Sequence, residues 1–315
     1  MRVIHTPPPS TDDAFLEAFQ HHLLQRDLAP ATVHAYLHDL RRFRTWHAGV
    51  HDGHPPLLTA VRTVDLAAFR THLIHEQAQT SATVNRRIQG LRRFFRWLSD
   101  QDWIVENPAT HLRFMRRGAA HQPLALTRRE VFALVQAAAH SPHRLAPRNV
   151  ALVQLMLQGG LRIGETTALI HGDLHLKSRS GMVHVRDGKG HKARDVPLNR
   201  TARQALQAYL ATLPDATAQT VVFRSKRGTP LAVRSVQGTI ARLAAHAGIE
   251  RIPVSAHTLR HTFALAYLQQ HPGKLRQLAQ LLGHESLDTT AIYLRPSPDD
   301  LADDLERSPL NVFDL

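Results

Sequence analysis

The chain has no cysteine in its 315 residues, so neither a disulfide framework nor a thiolate metal site can form. Aromatic side chains are scarce at 6%, with only four tyrosines. No apolar run approaches the ~20 residues that a membrane-crossing helix needs. The opening residues, ending in Pro7-Pro8-Pro9-Ser10, lack the apolar centre of a signal peptide. Acidic residues are outnumbered, 26 against 39 Lys+Arg, for a formal charge of +13. That excess runs along the whole chain rather than in one tail, which suits a polyanionic partner. An intracellular protein is expected.

What is present fits two domains. A length of 315 residues is long for one, and 43% hydrophobic residues can fill sizeable cores. Histidine is abundant, with 23 copies. The pairs His257/His261 and His171/His175 stand at i,i+4, a spacing that can hold a metal ion. Neither has the glutamate of an HExxH helix or an evident third ligand, so no metal is expected.

Residues 1–10 read as a flexible lead-in. Residues 11–112 carry four helical patterns, marked by Phe15/Leu16/Phe19/Leu23/Leu24, Val33/Tyr36/Leu37/Leu40/Phe43, Leu66/Phe69/Leu73 and Val84/Ile88/Leu91/Phe95/Leu98. Thr63 is the expected cap of the third. In the fourth, Arg86, Arg93 and Arg96 lie opposite the apolar stripe, and in so basic a chain they are expected to lie along phosphates. The basic stretch 113–123 reads as a linker. A second domain, 124–295, opens on Thr127-Arg-Arg-Glu130, a capping-box pattern. Its helix through Val150–Leu157 should stop at Gly159-Gly160. Short β-like runs, Met182–Arg186 and Ala193–Pro197, flank Asp187-Gly-Lys-Gly190 as a hairpin would. The tail is 296–315.

The chemistry lies in four motifs in order: Gly160-Leu-Arg162-Ile-Gly-Glu165, Gly188-Lys189-Gly190, His257-Thr-Leu-Arg260-His261, and Leu282-Gly-His284 with Tyr293 nine residues after the histidine. Arginine suits a phosphate because its planar fork holds two oxygens and keeps its proton. A tyrosine hydroxyl, of ordinary pKa ~10, needs nearby cations to favour phenolate. Tyr36, Tyr209 and Tyr267 sit in apolar helical settings and read as packing residues, which leaves Tyr293. Lys189, at a hairpin tip, can swing toward a substrate; Lys192 is its rival.

On these motifs the chain resembles the tyrosine recombinase (phage integrase) family, from about residue 11 to 293. The resemblance implies a mainly α fold with a small antiparallel β-sheet, built as a four-helix (SAM-like) core-binding domain plus an α+β catalytic domain. It implies a DNA strand transfer through a 3′-phosphotyrosyl intermediate. Tyr293 would be the nucleophile, Arg162 and Arg260 the phosphate clamp, Lys189 the acid toward the 5′ oxygen, and His257 the partner of the tyrosine. His284 would support the transition state and Glu165 would buttress the site. No metal or other cofactor is implied, because the bond energy is kept in the phosphotyrosine. The implied partners are double-stranded DNA, copies of the same chain in a tetrameric synapse, and an accessory or second recombinase. The implied location is the cytoplasm, at the nucleoid. A start so close to the helical domain leaves no room for a lambda-type arm-binding domain, and the layout resembles Xer-type recombinases. Thr166-Thr167 and His171 depart from the family pattern away from the chemistry.

Three other readings have distinguishing features. A metal-dependent transposase needs a carboxylate cluster for two cations, and the acidic pairs Asp12-Asp13, Asp299-Asp300 and Asp303-Asp304 stand at the chain's ends. A type IB topoisomerase would act as a monomer without sequence preference. A silent DNA-binding protein would bind with strong salt dependence and form no adduct.

Overall fold

In the computed structural model the described residues are 7–26, 28, 30–54, 57–116, 123–142, 144–186, 193–213, 216–284, 286–294, 302 and 305–307. The chain divides into two compact units, Met1–Ala120 and His121–Leu315.

The first unit contains α1 (Asp12–Gln25), α2 (Pro30–Val50), α3 (Thr63–His75) and α4 (Ser81–Asp100). Its core is the set of apolar stripes read from the sequence. In α4, Val84, Ile88, Leu91, Phe95 and Leu98 are each at most 1% exposed. Burying each such side chain favours folding by roughly 1.5–3 kcal/mol. Phe19 meets Phe94 edge-on at 5.2 Å between ring centres, the geometry that aromatic quadrupoles favour. The start of α3 differs from expectation. Thr63 is already helical and Arg62 is the cap residue, because the Asp65 carboxylate accepts the Arg62 N–H at 2.8 Å. The stretch read as linker is also docked at its beginning. The Asn85 carboxamide of α4 donates to Met115 O (2.9 Å) and accepts from Met115 N (2.7 Å).

The second unit contains α5 (Arg128–Ala139), α6 (Ala146–Gly159), α7 (Ile163–Ala168), β1 (Leu174–Leu176), β2 (Gly181–Val185), β3 (Arg194–Pro197), α8 (Arg200–Leu210), α9 (Val233–His246), α10 (Ala256–Gln270), α11 (Leu275–Leu282) and α12 (Leu287–Ala291). The capping box is formed, with Thr127 N donating to Glu130 Oε2 (2.7 Å) and Glu130 N to Thr127 Oγ1 (3.2 Å). The antiparallel sheet has order β1-β2-β3, with Val183 opposite Val196. These two valines are buried, and they join the core around α6. The hairpin tip, 187–192, lies outside the described residues, and with it Lys189 and Lys192.

Helix α6 is the centre of this unit: Ala151, Leu152, Val153, Leu155 and Met156 are all fully buried. Gly160 ends it at φ +61°, a left-handed conformation that glycine adopts without penalty. A Cβ there would stand 2.4 Å from Phe263 of α10. The turn therefore needs glycine twice over, for its φ and for the close approach. It also turns the chain so that Leu161 stays in the core while Arg162 lines the hollow described below. A smaller cluster of Ala264, Leu268, Leu278, Leu282 and Tyr293 joins α10 and α11 to the tyrosine. Among the described residues no helix is long and apolar enough to cross a membrane.

Candidate active site

Arg162 is the extended residue just before α7. Glu165, one turn into that helix, accepts from its backbone N–H (2.7 Å) and from its Nη1 (2.7 Å). Arg194 of β3 reaches the same carboxylate with a two-pronged contact, Nη1 to Oε1 at 2.9 Å and Nη2 to Oε2 at 2.8 Å. Burial would raise the Glu165 carboxyl, but the bonds from Arg194 and then Arg162 outweigh it and hold it at about 2. Glu165 is thus a fixed anion between two cations, at the edge of the site.

Helix α10 opens at Ser255, whose Oγ accepts from Thr258 N at 3.2 Å. This cap sets His257, Arg260 and His261 on the turn that faces the site. Arg260 is 5% exposed. Its Nη1 donates to Gly160 O (2.6 Å), and its Nη2 to Leu282 O (2.7 Å) and His284 Nε2 (2.9 Å). Burial, then the nearby Arg162, lower its pKa to about 10, so it stays charged at neutral pH.

Three successive carbonyls at the end of α11 each receive one arginine. Leu281 O accepts Arg194 Nε (2.8 Å), Leu282 O accepts Arg260, and Gly283 O accepts Arg162 Nη2 (3.0 Å). The last carbonyls of a helix lack intrahelical partners and carry its negative end. Here they orient the guanidinium groups. Gly283, at φ +64°, makes the turn that fans these carbonyls out.

His284 follows immediately. Because its Nε2 accepts from Arg260, its Nδ1 carries the proton and donates to Thr290 Oγ1 at 2.8 Å. That assignment comes from the partners' chemistry. Tyr293 sits in the 3-10 turn after α12, 4% exposed. Its hydroxyl lies 2.8 Å from His261 Nδ1. Burial raises the tyrosine pKa, against the pull of Arg260 and Arg162. Burial, then His257 and Arg260, lower that of His261. A neutral His261 accepts the hydroxyl proton. His257 is exposed, with its ring 6.3 Å from that of His261.

Arg162, His257, Arg260, His261, His284 and Tyr293 all line one hollow of about 320 Å³. The structure brings together five of the six residues singled out for catalysis in the sequence. The sixth, Lys189, lies outside the described residues. It also places His261, rather than His257, against the tyrosine hydroxyl. Sequence reasoning did not single out Arg194, His261 or Thr290 for the site. His261 was legible only as a neighbour of Arg260, and Arg194 only as one basic residue among many.

The arginines expected on a phosphate-facing helix differ among themselves. Arg86 is bound within the protein by both nitrogens to the buried Asp39, Nη2 to Oδ1 at 2.9 Å and Nη1 to Oδ2 more closely still. Arg93 lies over the Tyr36 ring at 5.9 Å. Arg96 is exposed.

Charged guanidinium groups held by backbone carbonyls around a tyrosine hydroxyl define a site for a phosphoryl group. Comparison with known proteins agrees. Residues 125–299 match the phage integrase family and residues 16–102 its N-terminal SAM-like domain. The chain is 33% identical over 274 residues to tyrosine recombinase XerC of Alcanivorax borkumensis, covering 85% of this chain and 84% of that one. It is 34% identical over 291 residues to tyrosine recombinase XerD of Ralstonia nicotianae, covering 91% and 90%. In fold it is similar to the XerH site-specific recombinase bound to its difH substrate in a pre-cleavage complex. That match has a TM-score of 0.70 at 21% identity, over 95% of this chain and 85% of that one. The chain belongs to the phage integrase family: it is a tyrosine recombinase, an enzyme of site-specific recombination.

Proposed function

We propose that this chain binds duplex DNA and cuts and rejoins its strands at a specific site, with Tyr293 as the nucleophile. Arg260 is the observation that carries the reading. It is a buried cation whose hydrogen-bond partners among the described residues are two carbonyls and an imidazole, all neutral, while the nearby anion Glu165 is bonded to Arg162 and Arg194 instead. A buried charge normally has a counter-ion. A phosphate entering the hollow would supply it. Of the five N–H groups on each guanidinium, Arg260 uses three and Arg162 two in these bonds, which leaves donors for non-bridging oxygens.

In the proposed step the Tyr293 oxygen loses its proton to a neutral histidine and bonds to phosphorus. The 5′ oxygen leaves, taking a proton from Lys189, and the 3′ phosphate remains on the tyrosine. A 5′-hydroxyl of a partner strand then reverses the step. His261 is the histidine placed to accept the proton. His257, on the rim of the hollow, is its rival. His284 and Glu165 hold the arginines. The helical domain, 11–112, clamps DNA from the other side of the duplex through groups such as Arg96. Four copies form the synapse, with the tail, 296–315, docking on a neighbouring copy and a second recombinase or accessory protein as a partner. The enzyme works in the cytoplasm, at the nucleoid.

Covalent capture tests this. The protein is mixed with nicked fragments of its host's DNA and denatured, and attached DNA is sequenced, with Tyr293→Phe in parallel. An adduct in the wild type alone is expected. An adduct that persists in Tyr293→Phe would move the nucleophile elsewhere, and clear binding without any adduct would withdraw the catalytic assignment.

A further inference from the structure

In the first unit, two imidazoles and a carboxylate converge where α2 ends and α3 begins. His47 is 1% exposed and stacks on Phe43, with ring centres 5.3 Å apart. His51, one turn later, crosses it at 4.5 Å and 74°. The Nε2 atoms of both rings are buried and have no hydrogen-bond partner among the described residues. Asp65 Oδ2 lies 3.9 Å from His47 Nε2, beyond hydrogen-bond range. One ligating atom from each of the three residues falls within 4.8 Å of the others.

Buried polar atoms are nearly always partnered, so two orphaned ring nitrogens in a cluster that includes one carboxylate require an explanation. A water could bridge them, but the donor set matches a metal ion more closely. We infer that His47, His51 and Asp65 bind one divalent transition-metal ion, Zn²⁺ by the chemistry of its ligands. Two imidazoles and one carboxylate, completed by water, form a borderline set that suits Zn²⁺ and disfavours the all-oxygen preferences of Mg²⁺ and Ca²⁺. Bonds of ~2.0–2.2 Å to a tetrahedral ion place ligand atoms ~3.3–3.6 Å apart. The three groups would close on the ion with shifts on the order of 1 Å. His51 lies just past the last residue of α2, where such a shift is easily made.

Asp65 has competing partners. Its Oδ2 accepts the Arg62 N–H at 2.8 Å, and Arg62 Nε stands 3.6 Å away on a side chain 72% exposed. Oδ2 serves both as the cap and as the atom nearest His47; it can keep the capping bond through one lone pair and offer the other to the ion, while the guanidinium turns into solvent. Bound there, the ion ties the end of α2 to the start of α3, in the unit that does not contain the proposed catalytic residues.

The test uses metal-stripped full-length protein and Co²⁺ as a spectroscopic stand-in for Zn²⁺. Expected are the d–d absorption of tetrahedral Co²⁺, one ion per chain, its displacement by Zn²⁺, and a higher melting temperature with Zn²⁺. His51→Ala, with its helical circular dichroism unchanged, should lose all of these. Asp65→Asn, which keeps a capping oxygen, should bind more weakly. The exposed His54→Ala and the active-site His257→Ala should leave the absorption intact. Absence of the band overturns the inference. So does a band that survives in His51→Ala, or one lost only in His257→Ala, which would place the ion at the other histidine pair.

Discussion

His261 Nδ1 lies 2.8 Å from the Tyr293 hydroxyl, and the two groups meet in a half-buried setting. Burial favours the neutral form of each: it lowers the histidine and raises the tyrosine. The proton therefore rests on the tyrosine, with its acceptor already in contact.

A general base of this kind contributes ~10²–10⁴ in rate. His261→Gln should retain a hydrogen-bond acceptor for Tyr293 and near-normal stability, yet slow adduct formation by ~10². His261→Phe should slow it equally and also lower the melting temperature, since a buried hydroxyl left unpartnered costs about 1–3 kcal/mol. Single-turnover cleavage and calorimetry on both variants check this. Full activity in His261→Gln together with an inactive His257→Ala would give the role to His257.

Acid should destabilise the fold through its buried and half-buried histidines. His22, His47, His171 and His261 are each lowered from the ordinary value, about 6.5, with burial as the largest cause. Below that value the unfolded chain takes up protons that the folded chain refuses. Stability is thus full above about pH 6.5 and is lost as pH falls toward the folded values. Melting temperatures should drop steadily on acidification, and the slope should be shallower in His261→Gln. A flat profile from pH 7 to 5 would contradict the assignment.

Glu165 loses stability in the same direction as those histidines, but in a more acidic window. Held at about 2 against an ordinary 4.5, it contributes stability that is complete above 4.5 and fades only as pH falls toward 2. Glu165→Gln removes the anion between Arg162 and Arg194, the latter only 8% exposed in its side chain. Breaking a buried pair costs ~3–5 kcal/mol. Denaturant melts should show a loss of that order. The variant should also cleave slowly, because glutamine leaves Arg162 only one of the two acceptor oxygens that Glu165 gives it. A loss below 1 kcal/mol would show that water replaces the carboxylate.

Arg86 and Arg96 should separate stability from DNA affinity. Arg86→Ala leaves the buried Asp39 with Arg87 as its remaining ion-pair partner among the described residues, Nε to Oδ1 at 3.7 Å, and should destabilise by about 1–3 kcal/mol. Arg96→Ala should leave the melting temperature unchanged, weaken DNA binding, and reduce the slope of log K against log salt by ~0.9 if it holds one phosphate. Equal effects of the two substitutions on binding, with none on stability, would refute the distinction.

The local structure was largely legible in the sequence. The apolar stripe of α4, the Thr127/Glu130 capping box, the Gly160 helix stop and the two hairpin strands all follow from spacing, because periodicity and backbone chemistry act over a few residues. Family motifs, rather than physics alone, pointed to Arg162, Arg260, His284 and Tyr293, which line one hollow. Thr63 was misread as a cap because a threonine at a helix start is common, and the Asp65 carboxylate three residues beyond Arg62 satisfied that N–H instead.

Tertiary structure decided which groups touch. The three carbonyls at the end of α11 that hold Arg162, Arg194 and Arg260 come from one helix, while the arginines come from a turn, a strand and another helix. Arg86 looked free on its helical face until α2 supplied Asp39. His47 and His51 had the i,i+4 spacing as plainly as His257 and His261, but the third group, Asp65, comes from another helix. Spacing along one segment determines what that segment can present. Burial and partnership depend on segments distant in sequence, and those set the charge of Arg260, the proton of Tyr293 and the orphaned nitrogens of α2.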